Sequence, residues 1–211
     1  MSSPTIRIRA GLLAAAFAAT SITTAIVGVS ESHAADQKTY IERAAKAATA
    51  SRTKYRVPRS VTIAQSILES GWGRSGLSTK YKNYFGIKCS PAASPHQKAC
   101  VSLGSYEYFH GTKRMYVSKF RTYSSMENSF LDHGRLLDRG SRYNRAFKYV
   151  NNPNKFIRAV HKAGYATDPG YANLVISIMK RWNLYRFDTK LKTETPKSNA
   201  KTLIATVALP E

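Results

Sequence analysis

Ser60-Val61-Thr62-Ile63-Ala64-Gln65-Ser66-Ile67-Leu68-Glu69-Ser70-Gly71-Trp72-Gly73 is the stretch on which the fold turns. Ile63, Ala64, Ile67 and Leu68 repeat at helical spacing and predict a buried stripe. Ser60 is the expected N-cap, because a serine oxygen can accept an amide of the first turn. Gly71, Gly73 and Gly76 predict the end of the helix, where left-handed backbone is cheapest for glycine. Glu69 therefore falls at the C-terminal end of a core helix, where the helix dipole disfavours a negative charge. An indole beside it, from Trp72, would desolvate it further. Both effects hold a carboxyl protonated. The competing reading is a surface glutamate at a frayed helix end.

Working outward, residues 36 to 51 are alanine-rich with helical spacing, and Asp36 is the expected N-cap. Val57-Pro58 breaks this helix from the next. Residues 77 to 123 differ in character, with prolines, both cysteines and alternating aromatics from Tyr106 to Tyr123. With His110-Gly111-Thr112 between two such runs, they predict a β-hairpin. Helices return at Ser124-Ser125-Met126-Glu127, a capping-box pattern, with Met126, Phe130 and Leu137 on the apolar face. A short helix follows over 154–162. Asp168-Pro169 is expected to open the last one, whose stripe is Tyr171, Leu174, Val175, Ile178, Met179 and Trp182. Phe130 and Trp182 are both expected in the core. Helices, a small β insertion and helices again make an α+β domain with its strands segregated.

The ends differ from the middle. Residues 1–34 carry Arg7 and Arg9, then an apolar run, then Ser32-His33-Ala34, which is the pattern of a cleaved export signal rather than of a retained span. The predicted mature domain is 35–188, and 189–211, rich in Thr, Lys, Ser and Pro, is an expected flexible basic tail. Lys and Arg number 33 against 12 acids, a formal charge of +21. Losing two arginines and Glu31 with the leader leaves +20. Such a charge attracts polyanions in a salt-dependent way. With an export signal, anionic cell-wall polymers are the expected partners rather than nucleic acid. No stable membrane insertion is expected once the leader is removed. Cys89 and Cys100, an even pair in an exported chain, predict a disulfide worth roughly 3 kcal/mol. A free catalytic thiol with His110 or His133 as its base is the alternative.

Eleven carboxylates remain after the leader is removed. Asp36, Glu127 and Asp168 have expected capping roles. Asp188, Glu194 and Glu211 lie at or beyond the domain edge. Glu42, Asp132 and Asp138 sit at helical positions that can face water. Glu69 and Glu107 are left. Glu107 lies between Tyr106 and Tyr108, on the opposite strand face from both. Cleaving a glycosidic bond usually takes two carboxyls, one protonating the leaving oxygen. Glu69 is the candidate acid and Glu107 the candidate second carboxylate; a strand glutamate paired with a basic neighbour is the plainer account of Glu107. No H-E-x-x-H or paired C-x-x-C occurs, so neither a metal nor another cofactor is expected. Ser51-Arg52-Thr53-Lys54 spells S-x-x-K but has no K-T-G partner.

Four further stretches occur in order: Asn83-Tyr84-Phe85-Gly86-Ile87-Lys88, Phe120-Arg121-Thr122-Tyr123-Ser124-Ser125, Ala163-Gly164-Tyr165-Ala166-Thr167-Asp168-Pro169, and Tyr171-Ala172. Together with Leu68-Glu69-Ser70-Gly71-Trp72-Gly73 they resemble the glucosaminidase domain of glycoside hydrolase family 73, found in bacterial autolysins and flagellar-rod hydrolases. The resemblance covers about residues 36–188. It implies a lysozyme-like α+β fold, with a groove between a mainly helical lobe and a small β-hairpin lobe. It implies an endo-β-N-acetylglucosaminidase that cleaves β-1,4 bonds of peptidoglycan glycan strands, which the export signal would place outside the cell, secreted or at the wall. An N-acetylmuramidase on the same fold and a non-catalytic wall-binding protein are the alternatives. It places the acid on Glu69, the second carboxylate on Glu107 and a functional tyrosine on Tyr165, with Trp72, Asn83 and Phe85 as substrate-binding residues. The family usually has a threonine near that second glutamate; Ser105 stands there instead.

Overall fold

A computed structural model describes residues 26–109 and 112–188, without the side chains of 26–34, 105–109 and 112–114. Most of the expected leader, the hairpin tip His110-Gly111 and the expected tail 189–211 lie outside the described residues. Helix α1 spans Ile26–Tyr55, α2 Arg59–Ser70 and α3 Gly76–Tyr81. Strands β1 (Ala99–Phe109) and β2 (Thr112–Thr122) follow, then α4 (Met126–Arg139), α5 (Pro153–Lys162) and α6 (Tyr171–Arg181). Short 3-10 turns occupy Ser141–Tyr143, Ala146–Tyr149 and Leu184–Phe187. No described helix is long and apolar enough to cross a membrane.

Helix α2 runs through the centre, with nine of its twelve residues buried. Helices α1, α4 and α6 pack around it. Ile63, Val61, Phe130, Leu137, Phe156, Ile157 and Met179 fill the space between them. Helices α1 and α4 cross closely at Gly134, where a Cβ would collide with Ser51 Oγ and press on Tyr55. That packing is the role of Ser51, the first residue of the S-x-x-K string.

The helix ends correct several expectations. Asp36 is no N-cap, because α1 continues upstream of it; its carboxylate pairs with Arg74 at 3.2 Å. Pro58, not Ser60, precedes α2, and no side chain of the local sequence caps it. Instead Asp188, from the far end of the domain, accepts from the Ser60 amide at 3.0 Å. An anion there also suits the positive end of the helix dipole. Gly76 does not end α2 but opens α3 behind Ser75, whose oxygen accepts from the Ser78 amide. At α4 the cap is Ser125, one residue later than the capping box implies, and Asn128 rather than Glu127 occupies the third turn position. Asp168 accepts from the Gly170 amide at 2.7 Å in a turn ahead of α6, rather than capping the helix directly.

The two strands form one antiparallel hairpin, in register from Ala99 opposite Thr122 to Phe109 opposite Thr112. A lone hairpin is marginal in water. This one is fastened at its root. Residues 87–89 pair alongside β2, with the Cys89 amide on the Lys119 carbonyl at 2.9 Å and the Arg121 amide on the Ile87 carbonyl at 3.0 Å. Cys89 and Cys100 are joined in a disulfide, which removes the free-thiol alternative. Asp132 completes the anchor. It is fully buried, not facing water, and accepts from Arg121 at 2.8 Å, from the Tyr123 hydroxyl at 2.7 Å and from Ser94. Removing one partner of such a buried pair costs about 3–5 kcal/mol, because the other charge is left uncompensated.

Candidate active site

The turn that ends α2 is unusual in its backbone. Gly71, Trp72 and Gly73 all have positive φ, at 55°, 62° and 72°. For glycine this is easy; for a tryptophan it is sparsely populated and has to be held by the surroundings. The amides of Gly71 and Trp72 both reach back to the Ile67 carbonyl, and the Gly73 amide donates to Ser70 Oγ at 2.7 Å. Tyr40 closes the far side. A Cβ on Gly73 would lie 2.7 Å from its ring.

This turn leaves Glu69 half-buried on the last turn of α2, facing the start of α6. Its Oε1 accepts from the Tyr171 hydroxyl at 2.9 Å. The Tyr171 oxygen in turn accepts from Gln65 Nε2 at 2.8 Å. Gln65 and Glu69 are one helical turn apart, so both reach the same phenol. Burial raises the Glu69 pKa above the ordinary carboxylate value, and the Tyr171 hydrogen bond pulls it partly back. The expected rise in pKa comes from general burial at this helix end. Trp72 turns instead to Tyr40 at 6.0 Å and Trp182 at 5.0 Å, edge-on to both. Among the described residues nothing else hydrogen-bonds the Glu69 carboxyl, so its second oxygen is left to carry the proton.

Tyr165 joins this group from the loop after α5. It is 5% exposed, its ring lies 5.6 Å from that of Tyr171, and burial followed by the nearness of Glu69 raises its pKa well above the usual phenol value. A neutral phenol, not a phenolate, therefore faces the acid.

The other predicted residues separate. Glu107 stands on β1 directly opposite Arg114 in the hairpin register, and its side chain lies outside the described residues. Asn83 is no substrate ligand. Its amide is spent on backbone, donating to the Ile87 and Arg121 carbonyls and accepting from the Phe85 and Ile87 amides. Phe85 is core, stacked on His133 at 4.1 Å and against Phe130 at 4.9 Å. These two residues shape the loop that holds the hairpin root rather than meet a sugar. Trp72 is half-exposed and lines a cleft of about 370 Å³ with Leu68, Leu174, Ile178 and Trp182. Trp182, expected in the core, is on this rim. Glu69 is not among the cleft's walls. Among the described residues no cluster of His, Cys, Asp or Glu could hold a metal.

The sequence reading missed Gln65 and the hydroxyl of Tyr171. Tyr171 was visible only as a member of an apolar stripe, and nothing in spacing tells where a phenol oxygen points. Gln65 offered one signal, a long polar side chain on the buried face of a core helix, which needs a partner.

A half-buried, protonatable carboxyl at a helix end, backed by two phenols, is an arrangement for donating a proton. A family model described as mannosyl-glycoprotein endo-beta-N-acetylglucosaminidase, the glucosaminidase model, matches residues 45–184. The chain belongs to the glucosaminidase family. Its fold is the lysozyme-like α+β arrangement of that family. The catalytic domain of the autolysin Auto from Listeria monocytogenes superposes with a TM-score of 0.61 at 26% identity, covering 80% of this chain and 100% of that one. Among curated relatives, the exo-glucosaminidase LytG of Bacillus subtilis is 34% identical over 72% of this chain and 54% of its own length. The peptidoglycan hydrolase FlgJ of Vibrio cholerae is 35% identical over 62% of this chain and 40% of its own length. This glucosaminidase chain thus spans about half or less of the length of those two relatives.

Proposed function

We propose that this glucosaminidase-family chain is an exported peptidoglycan hydrolase that cleaves β-1,4 bonds of the glycan strand, as an endo-β-N-acetylglucosaminidase. The observation that carries the reading is the Glu69 carboxyl, desolvated at the end of a core helix and held on one oxygen by Tyr171. An acid of raised pKa is what protonates a glycosidic leaving oxygen near neutral pH. As the C–O bond breaks, Glu69 becomes a carboxylate, and the Tyr171 O–H is already aimed at the charge that develops. Such preorganised donation lowers the barrier without reorganisation. The family match and the names of its relatives LytG and FlgJ supply the substrate class.

Glu107 is the proposed second carboxylate. If it activates water, the reaction inverts and the two carboxyls stand roughly 6.5–9.5 Å apart. If the substrate's acetamido group attacks instead, configuration is retained and Glu107 is secondary. Tyr165 would orient the substrate or the attacking group. The leader over 1–34 would deliver the chain to the wall, and the net charge of +20 left after its removal would hold the chain near anionic wall polymers.

Clearing of purified cell walls, followed by turbidity, tests the acid. Wild type is expected to clear them and Glu69→Gln to fail; equal clearing removes Glu69 from the reaction. Mass spectrometry of borohydride-reduced products tests the bond. N-acetylglucosamine at the new reducing end is expected, whereas muramic acid there reassigns the chain as a muramidase.

A further inference from the structure

Beyond the site, five cations meet around one pocket. Arg142 and Arg145, from the 3-10 segment after α4, face Lys155, Arg158 and Lys162 of α5 across a cavity of about 490 Å³. No carboxylate lines it, and none of the five forms a salt bridge among the described residues. Such a gathering costs stability through like-charge repulsion, offset in part where Arg142 lies over the Tyr143 ring and Lys155 over the Tyr149 ring. The pocket is a fixed feature. Phe147 packs edge-on against Phe156 at 5.4 Å and locks the 3-10 segment to α5, and Tyr185 bonds Asn154 at 2.7 Å.

We propose that this pocket binds a phosphodiester-linked polyanion, the backbone of a phosphate-bearing wall polymer. Three features favour that occupant. Lys155, Arg158 and Lys162 sit at i, i+3 and i+7, a cationic row about 10 Å long on one helix face, which suits a repeated charge better than a single anion. Arginine forks match phosphate oxygens in pairs, and three of the five cations are arginines. Tyr149, Ala159 and Ala163 give the cavity an apolar floor, suited to the carbon chain between phosphates. Arg142 also lies over the Tyr143 ring at 4.8 Å, and Tyr143 touches Tyr165 at 6.3 Å. The pocket is therefore one aromatic layer from the Glu69 group. A chain held there would tether the catalytic face close to the wall. The choice of a wall polymer rests on the proposed export of the chain to the wall, but not on its hydrolytic activity, because binding alone is measured.

The test is the affinity of the full chain for fluorescent poly(glycerol phosphate), as a function of salt. The triple variant Arg145→Ala, Arg158→Ala, Lys162→Ala removes exposed side chains with no internal partner. The control, Lys38→Ala, Lys46→Ala, Lys80→Ala, makes the same change in net charge elsewhere on the exposed surface. The pocket variant is expected to bind roughly tenfold more weakly or worse, and the control less than about threefold. The slope of log affinity against log salt is expected to fall by about two, at roughly 0.7 per lost phosphate contact on a single strand. A single Arg158→Glu variant gives the same reading if the triple variant melts early. Equal losses in pocket variant and control overturn the proposal, as does no binding by wild type. Wild-type binding as tight to oligo-dT, or to polygalacturonate of matched charge, also overturns it, in favour of a nucleic-acid or a general polyanion site.

Discussion

Tyr171 donates its hydroxyl proton to Glu69 across 2.9 Å while Gln65 donates to the Tyr171 oxygen from behind at 2.8 Å, so the acid rests on a two-bond relay that begins on its own helix. The bond favours the ionised carboxyl, and burial opposes it more strongly. The operating pKa of the acid is the balance of the two.

Tyr171→Phe tips that balance. Losing the donor raises the Glu69 pKa further, so the alkaline limb of the pH–rate profile is expected to move to higher pH. Stabilisation of the developing carboxylate is lost as well, and kcat is expected to drop by about 10²–10³. Gln65 also loses its partner, at a cost of about 1–3 kcal/mol in stability. A profile that moves to lower pH, measured on soluble glycan fragments, would contradict the relay.

Glu69→Gln separates catalysis from stability. Because the folded pKa is raised, ionising Glu69 costs the fold. That cost is absent below the ordinary carboxylate value of 4.5, grows as pH rises through the folded value and is complete above it. The variant, which has no charge to bury, is expected to melt higher than wild type at pH 7 and level with it near pH 4. Activity is expected to fall by about 10²–10⁴. Melting curves that stay parallel across that range would contradict the burial.

Asp132→Ala leaves the Arg121 guanidinium buried without its carboxylate. A loss of about 3–5 kcal/mol is expected in urea unfolding. Because Arg121 lies at the hairpin root, hydrogen exchange along β1 and β2 is expected to quicken more than in α2. A uniform change would argue that Asp132 supports the fold without anchoring the hairpin.

Gly71→Ala and Gly73→Ala differ by sterics alone. Both positions have positive φ, which costs a side chain about 1–2 kcal/mol. Gly71 has open space around it, whereas a Cβ at Gly73 meets Tyr40 at 2.7 Å and Tyr84 at 3.3 Å. Gly73→Ala is therefore expected to lose about 1–3 kcal/mol more than Gly71→Ala in thermal melts, from overpacking. Equal losses would refute the close approach.

Element order was legible because apolar spacing survives without tertiary information. Ile63 and Ile67 announced α2, and alternation between Tyr106 and Tyr123 announced the hairpin. Glu69 was legible because its position at a glycine-rich helix end is local. What escaped the sequence was long-range. Asp132 has the spacing of a solvent-facing helix residue, and only the hairpin root folding onto α4 buries it. Asp188 caps a helix 128 residues upstream. Trp182 continues an apolar stripe that is wider than the face α6 buries, so the indole ends on a rim. Asn83 and Phe85 were marked by the motif around them, which records a loop shape rather than a contact with substrate.

Among the described residues, the hairpin is gripped where it leaves the body, by the disulfide, by Asp132 and by residues 87–89. From Ala99 to Glu107 it extends about 26 Å at 3.3 Å per residue. Such an arm is a lever with a short pivot. A swing of roughly seven degrees carries its outer part through about 3 Å, as much as the whole spread of carboxyl separations that let a water molecule attack between them. If Glu107 is the second carboxylate, the stiffness of a salt bridge and a crosslink far from the scissile bond sets whether it stays in reach of that water.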